Sequence, residues 1–255
     1  MPIKQRLDLL VVEKGLAPSR QRARALIMAG KILVDTQRMD KPGAQVPVDA
    51  GITVKGEDLA YVSRGGLKLA GALRAMNLDV RDRVCLDVGA STGGFTDCLL
   101  QHGARKVYAV DVGYGQLAWK LRQDERVVSI ERTNIRHMDP ESVPAPVDLV
   151  TIDTSFISLK IVVPAVLKFL RPGGMVLALI KPQFEAGKGN VGKGGVVKDS
   201  ALQHRIIADL SLFFEAHGLT CGPVVPSPVL GPKGNQEYLM LLTLVSHDRP
   251  DNPGI

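Results

Sequence analysis

Val84-Cys-Leu-Asp-Val-Gly-Ala-Ser-Thr-Gly-Gly-Phe-Thr-Asp97 decides the fold. The apolar run Val84 to Val88 reads as a buried strand, the glycines as a tight turn, and a helix is expected from near Phe95. Strand, glycine loop and helix in that order form the ligand-binding corner of a parallel α/β sheet. Glycine lets the backbone approach a ligand closely, and the first N–H groups of the helix lack intrahelical partners. A second apolar run, Val107 to Val112, brings Asp111 to its end, 22 residues after Gly89, where a carboxylate can accept hydrogen bonds from two ribose hydroxyls.

A dinucleotide loop would space its glycines G-x-G-x-x-G to press amides against a pyrophosphate. Here they stand at Gly89, Gly93 and Gly94, behind the acidic Asp87. An acid repels pyrophosphate but suits the amino group and sulfonium of S-adenosylmethionine, so that cofactor is expected rather than NAD. Asp87, Gly89, Ser91, Thr92, Gly93, Phe95 and Asp111 are its candidate contacts. Asn134, beyond the third strand, stands either at the adenine edge or simply in a turn.

Outward from this corner, Val127 to Glu131, Val147 to Ile152 and Met175 to Lys181 add three more apolar runs separated by helical sequence or turns, the signature of a doubly wound sheet with both faces covered. Glu237 to Val245 is a β-rich run expected to join the sheet late, in the antiparallel sense. Asp153 and Lys181 end the fourth and fifth strands, and strand C-termini are where ligands bind in such sheets. A charge there is costly unless paired, so a plain Lys181 to Asp153 salt bridge at the sheet rim is one reading. Glu237 opening the late strand, and Lys68 on a helix expected from Gly66 to Met76, could bring two cations and two carboxylates to one cleft.

The remaining residues divide the chain. At 255 residues there is room for one full α/β domain and a small appendage. Net charge is +6, and residues 1 to 31 hold seven Lys/Arg against two acids, which points to a polyanionic partner gripped by the appendage. Leu7, Leu10 and Val11 share a helical face. Gly15 and Pro18 interrupt, Ser19 can cap a second helix burying Ala23, Leu26 and Ile27, and Gly30 ends it before a strand at Ile32 to Val34. The three cysteines are far apart, which fits a reducing cytoplasm, and no metal site or apolar run of about 20 residues is evident.

The run RLDLLVVEKGLAPSRQRARALIMAGKILVD resembles an S4 domain, a small RNA-binding module, which implies that Arg6, Arg20, Arg24 and Lys31 meet phosphates. Residues 1–60 are assigned to it, 61–66 to a connector, 67–247 to the catalytic domain and 248–255 to a tail. The larger part resembles the FtsJ/RrmJ-like 2′-O-ribose methyltransferases, whose catalytic set Lys-Asp-Lys-Glu matches Lys68, Asp153, Lys181 and Glu237. With Ser63-Arg-Gly-Gly-Leu-Lys68-Leu, Asp153-Thr-Ser-Phe-Ile-Ser and Lys181-Pro-Gln-Phe-Glu, nearly the whole chain is similar to the TlyA family. The resemblance implies a Rossmann-like class I methyltransferase with a mostly parallel seven-stranded sheet, acting on a cytidine 2′-hydroxyl in ribosomal RNA. Ribosomal RNA or ribosomal subunits would be the partner. Some members are labelled hemolysin, and an inactive assembly factor is the other rival.

Within that reading Lys181 faces the 2′-hydroxyl, as a base or as a cation beside the developing alkoxide. Phe156 either stacks on a target base or belongs to the core. With aromatics at only 4%, shape and phosphate recognition is expected rather than a broad stacking platform. Gly187 to Gly194 nearly matches a phosphate-binding loop, but Gly194 stands where a hydroxyl would hold magnesium. A basic flap over RNA or cofactor, with Lys188, Lys193 and Lys198 reaching phosphates, is the better reading, and Arg64 is a further candidate RNA contact.

Overall fold

The computed structural model describes residues 3–54, 60–187, 190–192 and 194–245. Lys188, Lys193 and the expected tail at 248–255 lie outside the described residues. The chain divides into two compact units, 1–58 and 59–255.

The first unit runs β1 (Lys4–Arg6), α1 (Leu7–Glu13), α2 (Arg20–Met28), β2 (Ile32–Val34), β3 (Gln37–Met39), β4 (Gln45–Pro47) and β5 (Ile52–Val54). Ser19 caps α2 by accepting from the Arg22 N–H at 3.2 Å. The chain leaves that helix through Gly30 at φ +63°, where any Cβ would overlap the Arg38 guanidinium. Strands β3-β2-β5 form one antiparallel sheet and β1 pairs with β4. Leu7, Val11, Ala23, Ile27 and Ile32 fill the core between them.

The second unit runs α3 (Arg64–Ala75), β6 (Val84–Val88), α4 (Gly94–Gln101), β7 (Lys106–Val110), α5 (Trp119–Arg122), β8 (Val127–Ile130), β9 (Val147–Ile152), α6 (Leu159–Val166), β10 (Leu170–Ile180), α7 (Pro182–Glu185), α8 (Ser200–Glu215), β11 (Leu219–Pro226) and β12 (Tyr238–Leu244). Its seven strands lie in the order β11-β12-β10-β9-β6-β7-β8. The five from β8 to β10 are parallel, and β12 runs antiparallel between β10 and β11. Neighbours along a strand serve opposite faces: Leu86 and Val88 pack toward Val162 and Leu210, Cys85 toward Leu69 and Leu99. Both faces are therefore dry, which is why the strands read as continuous apolar runs.

Two boundaries shift by more than a residue or two at a start, or into an expected connector, and one strand is unforeseen. Helix α3 starts at Arg64, inside the expected connector, because the Ser63 hydroxyl caps it through the Gly65 N–H at 3.3 Å. Strand β10 begins at Leu170 rather than Met175, its register with β9 shifting between those residues across Arg171-Pro-Gly-Gly. Strand β11 has no counterpart in the sequence reading. Gly222, Pro223 and Pro226 argue against a central strand, but β11 lies at a sheet edge, with a register shift between Cys221 and Val224.

Candidate active site

Asp153 follows β9 directly and its N–H donates to the Val88 carbonyl at 3.0 Å, which sets it beside the glycine loop. Lys181 follows β10. Register pairs Ile180 with Tyr238, so Lys181, just after β10, and Glu237, just before β12, stand at the same end of the two strands. Two ion pairs result. Lys181 Nζ lies 2.6 Å from Asp153 Oδ1 and donates to Ser155 Oγ at 3.0 Å; Lys68 Nζ, from the second turn of α3, lies 2.6 Å from Glu237 Oε2. Lys68, Lys181 and Glu237 are buried and Asp153 is partly exposed.

Buried ion pairs recover little more than their desolvation cost, so this edge is poor value as a stabilising device. Three acceptors there are also left open. Glu237 Oε1, Thr154 Oγ1 and Gln183 Oε1 are buried and have no hydrogen-bond partner among the described residues. A Cβ at Gly231 would overlap the Glu237 carboxylate, so the turn before β12 presses backbone against it.

The cofactor corner is built from positive-φ turns. Gly89 lies at φ +83° and Gly93, at φ +93°, precedes α4. A Cβ on Gly89 would stand 2.6 Å from the Asp153 carbonyl oxygen, so the loop and the start of the Asp153 segment touch backbone to backbone. Asp111 Oδ2 accepts from the Ser91 N–H at 2.8 Å and Oδ1 from the Gly113 N–H at 2.6 Å, fixing the carboxylate at the loop. Thr92 is exposed, its carbonyl accepting from the Ala118 N–H at 3.1 Å.

Two of the expected contacts are buried. Asp87 is 0% exposed and accepts hydrogen bonds from the hydroxyls of Thr96 at 2.6 Å and Thr151 at 3.0 Å, so it braces the loop from inside. Burial pushes its carboxyl up to about 6, against the opposing effect of those hydroxyls. The Phe95 ring is in the core beneath the loop. Asn134 does serve a turn, Oδ1 accepting from the Arg136 N–H at 3.1 Å.

Phe156 does not belong to the core. Its ring is 90% exposed, its backbone sits at φ +65°, and it touches Phe184 with centroids 4.9 Å apart. Sequence reasoning missed Ser155, Thr96, Thr151 and Glu185. Glu185 accepts from Ser158 Oγ at 2.6 Å and from the Leu159 N–H at 2.8 Å, with burial raising its carboxyl. The four-residue spacing of Lys181 and Glu185 was the available signal.

Among the expected RNA contacts, Arg6 and Arg20 both bond the buried Asp8, at 3.0 and 2.9 Å. Arg24 is exposed and Lys31 partly so. Arg64, in the second unit, donates to the Leu230 carbonyl at 3.2 Å. Among the described residues no group of three His, Cys, Asp or Glu is arranged to hold a metal, and no helix is long and apolar enough to cross a membrane.

The family model described as FtsJ-like methyltransferase matches residues 61–244, and the S4 domain model matches residues 5–52. The chain is 48% identical over 95% of its length, and 91% of the relative's, to the 16S/23S rRNA (cytidine-2′-O)-methyltransferase TlyA of Mycobacterium tuberculosis. It is 41% identical to Hemolysin A of Brachyspira hyodysenteriae, over 92% of this chain and 98% of that one. A solved Streptococcus thermophilus protein with the provisional name hemolysin superposes with a TM-score of 0.75 at 44% identity, covering 98% of this chain and 93% of its own.

Proposed function

The chain belongs to the FtsJ-like methyltransferases, with an S4 domain ahead of the catalytic unit, and on that premise we propose that it methylates the 2′-hydroxyl of a cytidine ribose in ribosomal RNA, using S-adenosylmethionine. The observation that carries the reading is the pair of lysine–carboxylate contacts, Lys68 with Glu237 and Lys181 with Asp153, at the ligand-binding edge of the sheet and against the glycine loop.

The corner fits the cofactor. Gly89 and Gly93 make the tight positive-φ turns that a Cβ would block against Asp153 and Leu121, and Asp111 presents a fixed carboxylate for ribose hydroxyls. Ser91 and Thr92 line the turn, Asp87 holds it from beneath, and Asn134 contributes through the amide nitrogen that its turn leaves over. When bound, S-adenosylmethionine supplies a methyl group already activated by its sulfonium.

Lys181 acts on the attacking 2′-oxygen, as the acceptor of its proton or as the cation beside the developing negative charge. Asp153 and Ser155 hold Lys181 Nζ in place, and Glu237 holds Lys68. Alignment of the nucleophile with the methyl group supplies several kcal/mol of the barrier reduction. Phe156, displayed at the same edge, offers a face to a base turned out of its stack. The S4 unit grips RNA through Arg6, Arg20, Arg24 and Lys31, and Arg64, Lys188 and Lys193 add further phosphate contacts.

The test is transfer of labelled methyl from S-adenosylmethionine to purified ribosomal subunits and to deproteinised ribosomal RNAs, with mapping of the modified nucleotide. Label on a cytidine 2′-oxygen, lost in Lys181→Ala with cofactor binding retained, is expected. A fully active Lys181→Ala removes that residue from the mechanism. No label on any RNA, with cofactor bound, moves the reading to an inactive assembly factor.

A further inference from the structure

Phe156 holds a backbone conformation that a bulky side chain avoids, at a cost of about 1–3 kcal/mol. Its ring, 90% exposed, recovers almost none of that by burial. Such a conformation persists only where the surroundings over-determine it. The surroundings here are one short helix. Lys181, immediately before α7, bonds Asp153 and Ser155, which precede Phe156. Glu185, at the other end of α7, accepts from Ser158 Oγ and the Leu159 N–H, which follow it. Phe184, between them, touches the ring itself. The loop 153–158 is thus fastened at both ends and at its crest to residues 181–185.

We propose that Glu185 is a positioning residue for methyl transfer: by closing the Ser158 end of the loop onto α7, it holds Phe156 outward as the stacking face for the target base. The inference rests on the function proposed above. A centroid separation of 4.9 Å is direct ring contact and leaves no space for a base between Phe156 and Phe184. The base therefore meets the open side of Phe156, with Phe184 backing it. Lys181 and Glu185 divide the work, one setting the reacting end of the loop and the other the recognition end.

The bland role for Glu185 is to cap α6, since it accepts from the first N–H of that helix. A reporter separates the two. The sequence holds a single tryptophan, Trp119, which is exposed and touches none of these residues' hydrogen bonds, so a W119F background with Phe156→Trp makes the loop the only indole emitter. In that background Glu185→Ala is expected to lower the nanosecond fluorescence anisotropy, and Glu185→Gln, which keeps one acceptor oxygen, to restore most of it. With Phe156 intact, Glu185→Ala is expected to lower kcat about 10-fold or more while S-adenosylmethionine affinity stays within about twofold, and Glu185→Gln to recover most of the rate. Ser158→Ala, which removes only the Oγ contact, should give the same pattern at smaller amplitude and serves if Glu185→Ala does not fold. Unchanged anisotropy, full activity in Glu185→Ala, or a rate loss that follows lost cofactor binding would overturn the proposal. If the unaltered protein methylates no RNA, the functional reading fails, while the anisotropy still decides whether Glu185 holds the loop.

Discussion

Lys68 and Glu237 are separated by 169 residues in sequence and by 2.6 Å in the fold, and Glu237 Oε1 has no hydrogen-bond partner among the described residues. The pair is half satisfied, so removing one member costs more than removing both. Glu237→Ala strands a buried ammonium and should destabilise by about 3–5 kcal/mol, whereas Lys68→Met with Glu237→Leu should recover much of that loss. Urea denaturation of the two singles and the double measures the difference. Additive losses would mean that the two side chains do not act as a pair.

Gly89→Ala tests the cofactor corner. A Cβ there strains the φ of +83° and stands 2.6 Å from a backbone oxygen, which cannot rotate away as a side chain could. Calorimetric titration should show S-adenosylmethionine affinity falling at least about 10-fold, with the helices still formed by circular dichroism. Unchanged affinity would take Gly89 out of the cofactor site.

Asp87 gives stability a pH dependence. Its carboxyl is raised from 3.8 to about 6 in the fold, chiefly by burial, so the folded state binds the proton more tightly than the unfolded chain. The corresponding stability is fully present below the ordinary carboxylate value and is lost as pH rises through about 6. Asp87→Asn, which does not titrate, should therefore gain on the unaltered protein between about pH 4 and pH 7 in thermal melts. A constant gap across that range would contradict it.

Asp8 works in the opposite sense. Hydrogen bonding from Arg6 first, and from Arg20, overcomes desolvation and lowers its carboxyl from 3.8 to about 2. Its contribution is present above the ordinary value and lost as pH falls through about 2. Asp8→Asn should cost the first unit about 1–3 kcal/mol, read by hydrogen exchange across residues 7–13, and weaken RNA binding by freeing Arg6 and Arg20. Retained protection and retained RNA affinity together would show that the triad orients nothing.

The central parallel strands were legible because they are buried on both faces. Val84–Val88 and Val147–Ile152 fall where their apolar runs do. The four charged residues at the sheet edge were legible as chemistry, since charge at the end of such a run needs a reason. The Lys181 to Asp153 pairing was legible too, since the two end neighbouring strands, but that of Lys68 with Glu237 was not: it depends on a sheet order that places β12 between β10 and β11. The burial of Asp87 was not legible either, because its hydroxyl partners, Thr96 and Thr151, arrive from different elements. Edge strand β11 escaped because its glycine and prolines are tolerable only where one side of a strand goes unpaired.

The placement of β12 also orders events during synthesis. Glu237 and its strand follow every other element of the sheet in the chain, yet they sit between two strands made earlier. A growing polypeptide can therefore assemble the glycine loop, Asp153 and Lys181 while Lys68 still lacks its carboxylate. Because β11 pairs with no strand but β12, the last strand both adds to β10 and brings β11 into the sheet. A nascent chain stalled before residue 237 would carry the glycine loop, Asp153 and Lys181 but leave Lys68 without Glu237.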